Sequence, residues 1–207
     1  MNFTDDDANK LLKIIKARRD VRGNRFISKA IEEEKLQMIL EAGISAPSVG
    51  YSQPWKFVII QDKKVKDEMI TNFSQENTKA KEIFADRTLY HNLKLEGIKE
   101  APINIAVLYE AKEEAVLGVT SMKKMGEYSV VCAVQNMWLM ARALNIGIGW
   151  VSILDAKKVL QTLKAKTNIQ LIAYLCVGYV DEFYEESELK TLGWEVEKKL
   201  TDSITYL

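Results

Sequence analysis

The segment that most constrains the fold is residues 126–145, GEYSVVCAVQNMWLMARALN, which is apolar around most of the circumference of the helix that it predicts. A helix with apolar residues on nearly every side must be covered on nearly every side. Two arrangements satisfy this requirement. The helix is enclosed by other elements of its own chain, or a second subunit completes its environment. The sequence leaves both arrangements open.

Four shorter apolar segments predict the strands that such a helix would pack against. They are rich in β-branched residues, they are bounded by proline, glycine or charge, and they cover residues 55–61, 103–110, 148–154 and 170–180. Helices are predicted at 5–19, 32–46 and over much of 63–98. We find no repeat, linker or low-complexity tract, so residues 1–207 predict a single domain.

Charge and composition exclude several classes of function. Lys+Arg and Asp+Glu both number 29, so the chain has no overall attraction for nucleic acid or an anionic membrane. No apolar run is long enough to span a bilayer, and the acidic beginning MNFTDDDANK predicts neither a signal peptide nor a transit peptide. Cys132 and Cys176 lie in apolar surroundings and are predicted to be core residues, which favours a cytoplasmic protein.

The single histidine limits the chemistry that the side chains provide. His91 lies in a polar helical segment and is predicted to be a surface residue. One histidine cannot form a zinc site of the usual multi-histidine kind, so no metal site is predicted. An enzyme of this composition would take much of its reactivity from a bound cofactor.

Four of the six arginines lie in ARRDVRGNRF, residues 17–26, and Asp20 lies among them. Guanidinium groups bind phosphate through paired, charge-assisted hydrogen bonds. The four arginines, Arg18, Arg19, Arg22 and Arg25, therefore predict a phosphate-bearing cofactor, with the carboxylate directed at its reactive part. The alternative is a solvated helix end whose positive side chains complement the helix dipole. That alternative does not explain the choice of arginine, because the rest of the chain has 23 lysines and only two arginines.

Two further segments offer uncharged hydrogen-bonding groups. In APSVGYSQPWKF, residues 46–57, two prolines fix a bend, and Ser48, Ser52 and Gln53 suit a heteroaromatic edge or a polyol. In GIGWVSILD, residues 147–155, Ser152 falls inside a predicted apolar strand and requires a partner for its hydroxyl. Either segment is also compatible with an ordinary structural role. No G-x-G-x-x-G fingerprint or P-loop occurs, so a Rossmann-type NAD site is not expected.

Taken together, these segments resemble the nitroreductase-like flavoproteins. The shared motifs are RRDVR, APSVGYSQPW, LKLEGIKEAPINIAV, YSVVCAVQNMWLMARALNIGIGWVSIL and AYLCVGYVDEF followed by EL and GW. The aspartate in RRDVR, together with SVGYSQPW and GWVSIL, is similar to the BluB branch, the 5,6-dimethylbenzimidazole synthases. The resemblance runs from about residue 16 to residue 194.

This resemblance implies an α+β, nitroreductase-like fold in which helices flank a central, mainly antiparallel sheet. It also implies an intertwined homodimer with FMN sites between the subunits. A lid would form at about 74–99, around Leu93, Leu95 and Glu96, and a tail at about 183–207 would wrap the partner. Asp20 and Ser152 match the positions that are catalytic in the branch. The FMN-binding positions would be Arg18, Arg19, Asp20, Val21, Arg22, Pro47, Ser48, Gln53, Leu95 and Ser152.

The activity implied by the branch is the reaction of reduced FMN with O2 to give 5,6-dimethylbenzimidazole, the lower ligand of cobalamin. A separate flavin reductase would supply the reduced FMN. In such a reaction a partly buried Asp20 would exchange protons, and the Ser152 hydroxyl would stabilise developing charge near the flavin N5. Alternatively, Asp20 forms an ion pair with Arg19 or Arg22 that holds the cluster together.

Two other functions remain open at this point. The same residues would suit an FMN-dependent NAD(P)H oxidoreductase of the nitroreductase or quinone reductase type, or a non-catalytic FMN carrier. The sequence also departs from the branch, which carries arginine at the positions of Val119, Glu195 and Glu197. These departures predict weaker phosphate binding or a different ligand.

Overall fold

A computed structural model describes residues 1–207. Most of the elements are helices, and four strands form one sheet. The helices are α1 (Asp5–Ala17), α2 (Glu33–Ile44), α3 (Lys63–Ile83), α4 (Thr88–Asn92), α5 (Met125–Ala143), α6 (Ala156–Thr162) and α7 (Glu188–Thr191). The strands are β1 (Trp55–Ile60), β2 (Ile103–Glu110), β3 (Ile146–Trp150) and β4 (Ile169–Tyr179). No helix is both long enough and apolar enough to cross a membrane.

The sheet has the strand order β1-β2-β4-β3, and every neighbouring pair is antiparallel. The strands predicted at 55–61, 103–110 and 170–180 are found almost unchanged. The third strand begins at Ile146, before the predicted 148, because Gly147 already pairs with β4. It ends at Trp150, before the predicted 154. The predicted helix over 63–98 is interrupted after Ile83, and α6 and α7 were not predicted.

Alternating side chains of β2 and β4 divide the core between the two faces of the sheet. Ile105, Val107 and Leu175 face the layer that contains α2 and α5. Leu108 and Tyr174 face the opposite layer, which contains residues of α3 and α6. The sheet is therefore covered by helices on both faces, which confirms the predicted α+β class.

Helix α5 is covered on only one side within the chain. Val130, Val134 and Met137 are buried against the sheet, whereas Tyr128 and Val131 keep 49% and 41% of their surface exposed. The prediction that both cysteines are core residues is correct for Cys176 and wrong for Cys132, which lies on the open side of α5. Burial around most of α5 is thus not achieved by this chain alone.

Candidate functional site

Asp20 is held against the end of β3 by backbone contacts. Val21 N–H donates to the carbonyl of Ile148 at 3.0 Å, and Asp20 Oδ1 accepts from Trp150 N–H at 3.0 Å. Gly149 makes this approach possible, since a Cβ there would stand 2.0 Å from the carbonyl oxygen of Val21. The carboxylate is therefore placed by a strand far away in the sequence.

Burial and the neighbouring groups shift the pKa of Asp20 in opposite directions. Burial is the largest influence and raises the pKa of the carboxyl above its ordinary value, and Glu188 adds to this. Arg22, the Trp150 N–H group and Arg18 lower the pKa, but they do not cancel the effect of burial. Asp20 forms an ion pair with Arg22. The net result is a carboxyl that exchanges protons closer to neutral pH than a free aspartate does.

The arginines and the beginning of the tail enclose a small polar cavity of about 140 Å³. We refer to it as the arginine cavity. Its lining residues are Arg18, Arg19, Asp20, Arg22, Tyr184, Ser187, Glu188 and Leu189. Arg19 donates to the carbonyls of Lys16 (2.7 Å), Arg18 (2.8 Å) and Glu185, while its Nε is buried without a partner. An unpaired buried guanidinium donor is suited to an anionic ligand.

Arg25 belongs to the sequence cluster but not to the cavity. It pairs with Asp181 at 3.1 Å and Glu182 at 2.9 Å, and its guanidinium lies 4.3 Å from the ring centre of Tyr184. The sequence analysis missed this role. The signal was the acidic and aromatic run DEFYEE that follows the last strand. Arg25 therefore fixes the tail over the cavity that its neighbours line.

The turn at 46–53 is built with backbone strain and with a small hydrogen-bond network. Gly50 has φ +55° and Gln53 has φ +48°. Gln53 N–H donates to Ser48 Oγ at 3.1 Å, and Val49 N–H donates to Ser129 Oγ at 3.1 Å. Pro47 and Gln53 are exposed, and neither they nor Ser48 line the arginine cavity of the same chain. Within one chain, the arginines and the turn at 46–53, which were both predicted to bind FMN, are therefore not brought together in one cavity.

Ser152 lies two residues beyond β3 and is exposed. The expectation of a serine inside an apolar strand is therefore wrong, because β3 ends at Trp150. Because Ser152 is exposed, its hydroxyl does not need the internal partner that a buried position would require, and it makes no hydrogen bond within the chain. Its neighbour Val151 is buried, and Trp150 N–H binds Asp20, so Ser152 follows closely the residue that orients the carboxylate.

The predicted lid consists of the end of α3, the short α4 and an irregular segment that carries Leu95 and Glu96. Leu95 packs against the core, and Gly23 N–H donates to the Glu96 carbonyl at 2.8 Å. Trp194 of the tail contacts the same region, with its ring 4.5 Å from the guanidinium of Arg87 and 5.6 Å from the ring of Phe84. The predicted lid segment and the tail therefore pack on each other.

These features have a counterpart among known proteins. The profile of the nitroreductase family matches residues 15–179. The chain belongs to the nitroreductase family. The match includes Asp20, the arginines at 18, 19 and 22, the turn and the whole sheet.

Two relatives within the nitroreductase family carry the same name. A 5,6-dimethylbenzimidazole synthase from Rhodospirillum rubrum is 40% identical over 182 residues, covering 86% of this chain and 85% of the relative. A 5,6-dimethylbenzimidazole synthase from Rhodobacter capsulatus is 34% identical over 200 residues, covering 94% and 95%. A nitroreductase-type protein from Desulfovibrio desulfuricans, solved in complex with FMN, has the same fold, with a TM-score of 0.70, 23% identity and coverage of 95% and 96%.

Two of the positions that depart from the branch can now be placed. Glu197 pairs with Lys190 at 2.7 Å, so it is part of the packing of the tail. Val119 lines a second cavity, which shares no lining residue with the arginine cavity. Neither residue contributes to the lining of the arginine cavity.

Proposed function

We propose that this nitroreductase-family chain is an oxygen-dependent enzyme that converts reduced FMN into 5,6-dimethylbenzimidazole. The observation that carries the proposal is Asp20, a carboxyl with a raised pKa that shares one cavity with three arginines. The relatives named 5,6-dimethylbenzimidazole synthase support it at 40% and 34% identity over most of the chain. Cytoplasmic location and delivery of reduced FMN by a separate flavin reductase are parts of the same proposal.

The residues of the arginine cavity fit the phosphate end of FMN. Arg18, Arg19 and Arg22 all line the cavity, and guanidinium groups suit a phosphate. When bound, reduced FMN supplies the electrons for O2 and the carbon skeleton of the product. The arginines would hold the phosphate, the Asp20 carboxyl would take up and return protons because its pKa is raised, and Ser152 would offer a hydroxyl as a hydrogen-bond donor. Val21, which follows Asp20, fixes its backbone on β3.

A homodimer would complete the site. Helix α1 is amphipathic, yet none of its residues is buried, and Leu11, Leu12 and Ile15 keep 53%, 47% and 43% of their surface exposed. The open side of α5 is also apolar. Since the turn with Pro47, Ser48 and Gln53 lies outside the arginine cavity of its own chain, it is free to meet the FMN of a partner. The tail beyond Trp194 is exposed as well and is proposed to wrap the partner.

The double substitution Leu12→Glu and Ile15→Glu is expected to convert the dimer into monomers and to weaken FMN retention. Burying two unpaired carboxylates against an apolar surface costs several kcal/mol. Light scattering after gel filtration measures the mass. Ile83→Glu is the matched control for the mass measurement, because Ile83 is 78% exposed at the end of α3. A double variant that stays dimeric and retains FMN would contradict the role given to α1.

Arg22→Lys is expected to weaken FMN binding by about tenfold, because lysine keeps the charge and loses the paired donor geometry. Arg25→Lys is the matched control within the same ten residues, because Arg25 binds the tail instead of lining the cavity. Quenching of flavin fluorescence during titration gives both dissociation constants. Equal effects of the two substitutions would refute the assignment of the arginine cavity to phosphate.

A single turnover tests the proposed reaction directly. The protein is loaded with FMN, reduced without air and exposed to O2, and the products are identified by chromatography and mass spectrometry. We expect 5,6-dimethylbenzimidazole in proportion to the FMN consumed. Recovery of oxidised FMN with hydrogen peroxide would overturn the proposal. In that case, rapid steady-state oxidation of NADPH would identify a conventional flavin oxidoreductase, and tight FMN binding with neither activity would identify a carrier.

A further inference from the structure

Residues 181–194, which follow the last strand of the sheet, form one wall of the arginine cavity. We refer to this segment as the strap. Its lining residues are Tyr184, Ser187, Glu188 and Leu189, and every other lining residue lies within 18–22. The cavity is therefore enclosed by two short segments, and a ligand gains a wide entrance only when one of them moves away.

The wall at 18–22 is firmly attached to the core. Val21 is buried, and its N–H group donates to the carbonyl of Ile148 in β3 at 3.0 Å. Trp138 of α5 donates from Nε1 to the carbonyl of Arg19 at 3.1 Å. Moving this wall would break hydrogen bonds to both β3 and α5 and would expose apolar surface, so it is the fixed wall of the cavity.

The strap, in contrast, is attached only by contacts at the surface. No residue from 181 to 207 is buried, so little apolar surface is exposed to water when the strap leaves. The helix of the strap, α7, has four residues, and so short a helix is not stable by itself. Segments with few buried contacts open most easily. The strap is therefore the wall that can move.

Arginine side chains hold the strap in place. Four of the six arginines contact it, and three of these four do not line the arginine cavity. Arg25 makes two ion pairs with the strap, to Asp181 at 3.1 Å and to Glu182 at 2.9 Å. The other contacts are Arg19 to the carbonyl of Glu185, Arg142 at 4.0 Å from the ring centre of Phe183, and Arg87 at 4.5 Å from the ring centre of Trp194. Each contact of this kind is weak at an exposed position, so the strap is held by several small contributions.

We propose that the strap is a gate for the phosphate end of FMN, and that its contacts with Arg25 limit how fast flavin enters and leaves the arginine cavity. This inference rests on the FMN site proposed above but not on the fragmentation of FMN. An enzyme that consumes its flavin must admit a new one in each turnover. Arg25 lies outside the cavity, so it holds the strap equally with and without flavin. Weakening these contacts therefore accelerates association and dissociation by the same factor and leaves the dissociation constant unchanged.

The double substitution Asp181→Asn and Glu182→Gln tests the gate, because it removes both charges that pair with Arg25. Stopped-flow flavin fluorescence with oxidised FMN gives the association rate after mixing and the dissociation rate after dilution. We expect both rates to rise about three- to tenfold, as for the loss of two exposed ion pairs, while their ratio changes by less than about twofold.

The double substitution Glu186→Gln and Glu197→Gln is the matched control. It removes the same number of charges from the tail, but both carboxylates pair with Lys190, at 2.7 Å each, and not with Arg25. We expect the rates of wild type. A purely long-range effect of charge would act in both double variants, and it would raise the association rate while lowering the dissociation rate. Opposite changes of the two rates would therefore overturn the gate.

Hydrogen exchange of the protein without added FMN reports on the strap directly. The N–H groups of Leu192 and Trp194 donate to the carbonyls of Glu188 at 2.9 Å and Leu189 at 2.8 Å, and these bonds are lost when α7 leaves the surface. We expect exchange about three- to tenfold faster in the Asp181→Asn and Glu182→Gln variant, and unchanged in the control. Equal exchange in all three proteins, or equal flavin rates, would overturn the proposal. Absence of FMN binding would refute the FMN site itself, a result that the hydrogen exchange separates from a failure of the strap.

Discussion

Asp20→Asn is expected to reduce 5,6-dimethylbenzimidazole formation by about 10²–10⁴-fold, the usual contribution of a proton-transferring side chain, while FMN binding changes little. Asparagine retains an oxygen that accepts from Trp150 N–H, the contact now made at 3.0 Å. The substitution therefore removes the titrating group and keeps the backbone arrangement. Product formation in a single turnover and the FMN dissociation constant are the two measurements required.

The pH dependence separates a proton-transfer role from a structural one. The pKa of Asp20 is raised, chiefly by burial. Its carboxyl therefore ionises at a higher pH than that of an ordinary aspartate, whose pKa is about 3.9. If the ionised form acts as the base, the rate of wild type falls as the pH drops through that raised pKa. Asp20→Asn should lack this limb.

Asp181→Asn is the matched control for Asp20→Asn. Asp181 also pairs with an arginine, Arg25, at 3.1 Å, but it lies outside the arginine cavity. Its pKa is lowered, mainly by the N–H group of Glu182. We expect this variant to keep most of its activity. Full activity in Asp20→Asn would instead show that the carboxylate only holds Arg22 in place.

The substitution Gly149→Ala is expected to destabilise the protein by about 3 kcal/mol, at the upper end of the usual cost of overpacking. The added Cβ would stand 2.0 Å from the carbonyl oxygen of Val21, and a backbone atom cannot rotate away as a side-chain tip can. For a chain of this length, the loss corresponds to a fall in melting temperature of roughly 6–12 °C. Since Asp20 precedes Val21, FMN turnover should fall as well.

Gly43→Ala is the control for Gly149→Ala. Gly43 lies within α2, and its added Cβ would meet side-chain atoms of Met137 at 2.9 Å and Phe57 at 3.0 Å. Methionine adapts to such a change, and alanine favours a helix over glycine. Differential scanning calorimetry of both variants measures the contrast. Equal melting temperatures for the two variants would refute the claim that strand β3 needs a glycine at 149.

Local patterns predicted most of the scaffold. Short apolar segments rich in β-branched residues predicted β1, β2 and β4, because such residues fit the pleated surface of a sheet. The start of β3 was missed because glycine has low strand propensity. Gly149 is nevertheless required there, because the Val21 carbonyl approaches β3 closely. The reason for that glycine lies more than a hundred residues earlier in the sequence and is not visible locally.

Long-range contacts also explain what the sequence left undetermined at the site. Residues 17–26 predicted a cluster of arginines, yet only contacts with the tail separate Arg25 from Arg22. The interruption of the helix after Ile83 coincides with packing of Phe84 on Tyr90 and Trp194, which no periodicity in residues 63–98 reveals. Ser152 was placed in a strand because the apolar run around it continues to Leu154, beyond the last paired residue, Trp150.

The bond between Asp20 and Trp150 spans 130 residues of sequence, and this has a consequence for synthesis on the ribosome. Within the sheet β3 has β4 as its one neighbouring strand, and β4 ends at Tyr179. The surface that receives Asp20 is therefore incomplete until nearly the whole chain has emerged. Pairings of such long separation form slowly. We therefore expect nascent chains that stop before β4 to complete neither the sheet nor the arginine cavity, so competence for flavin arises late in folding.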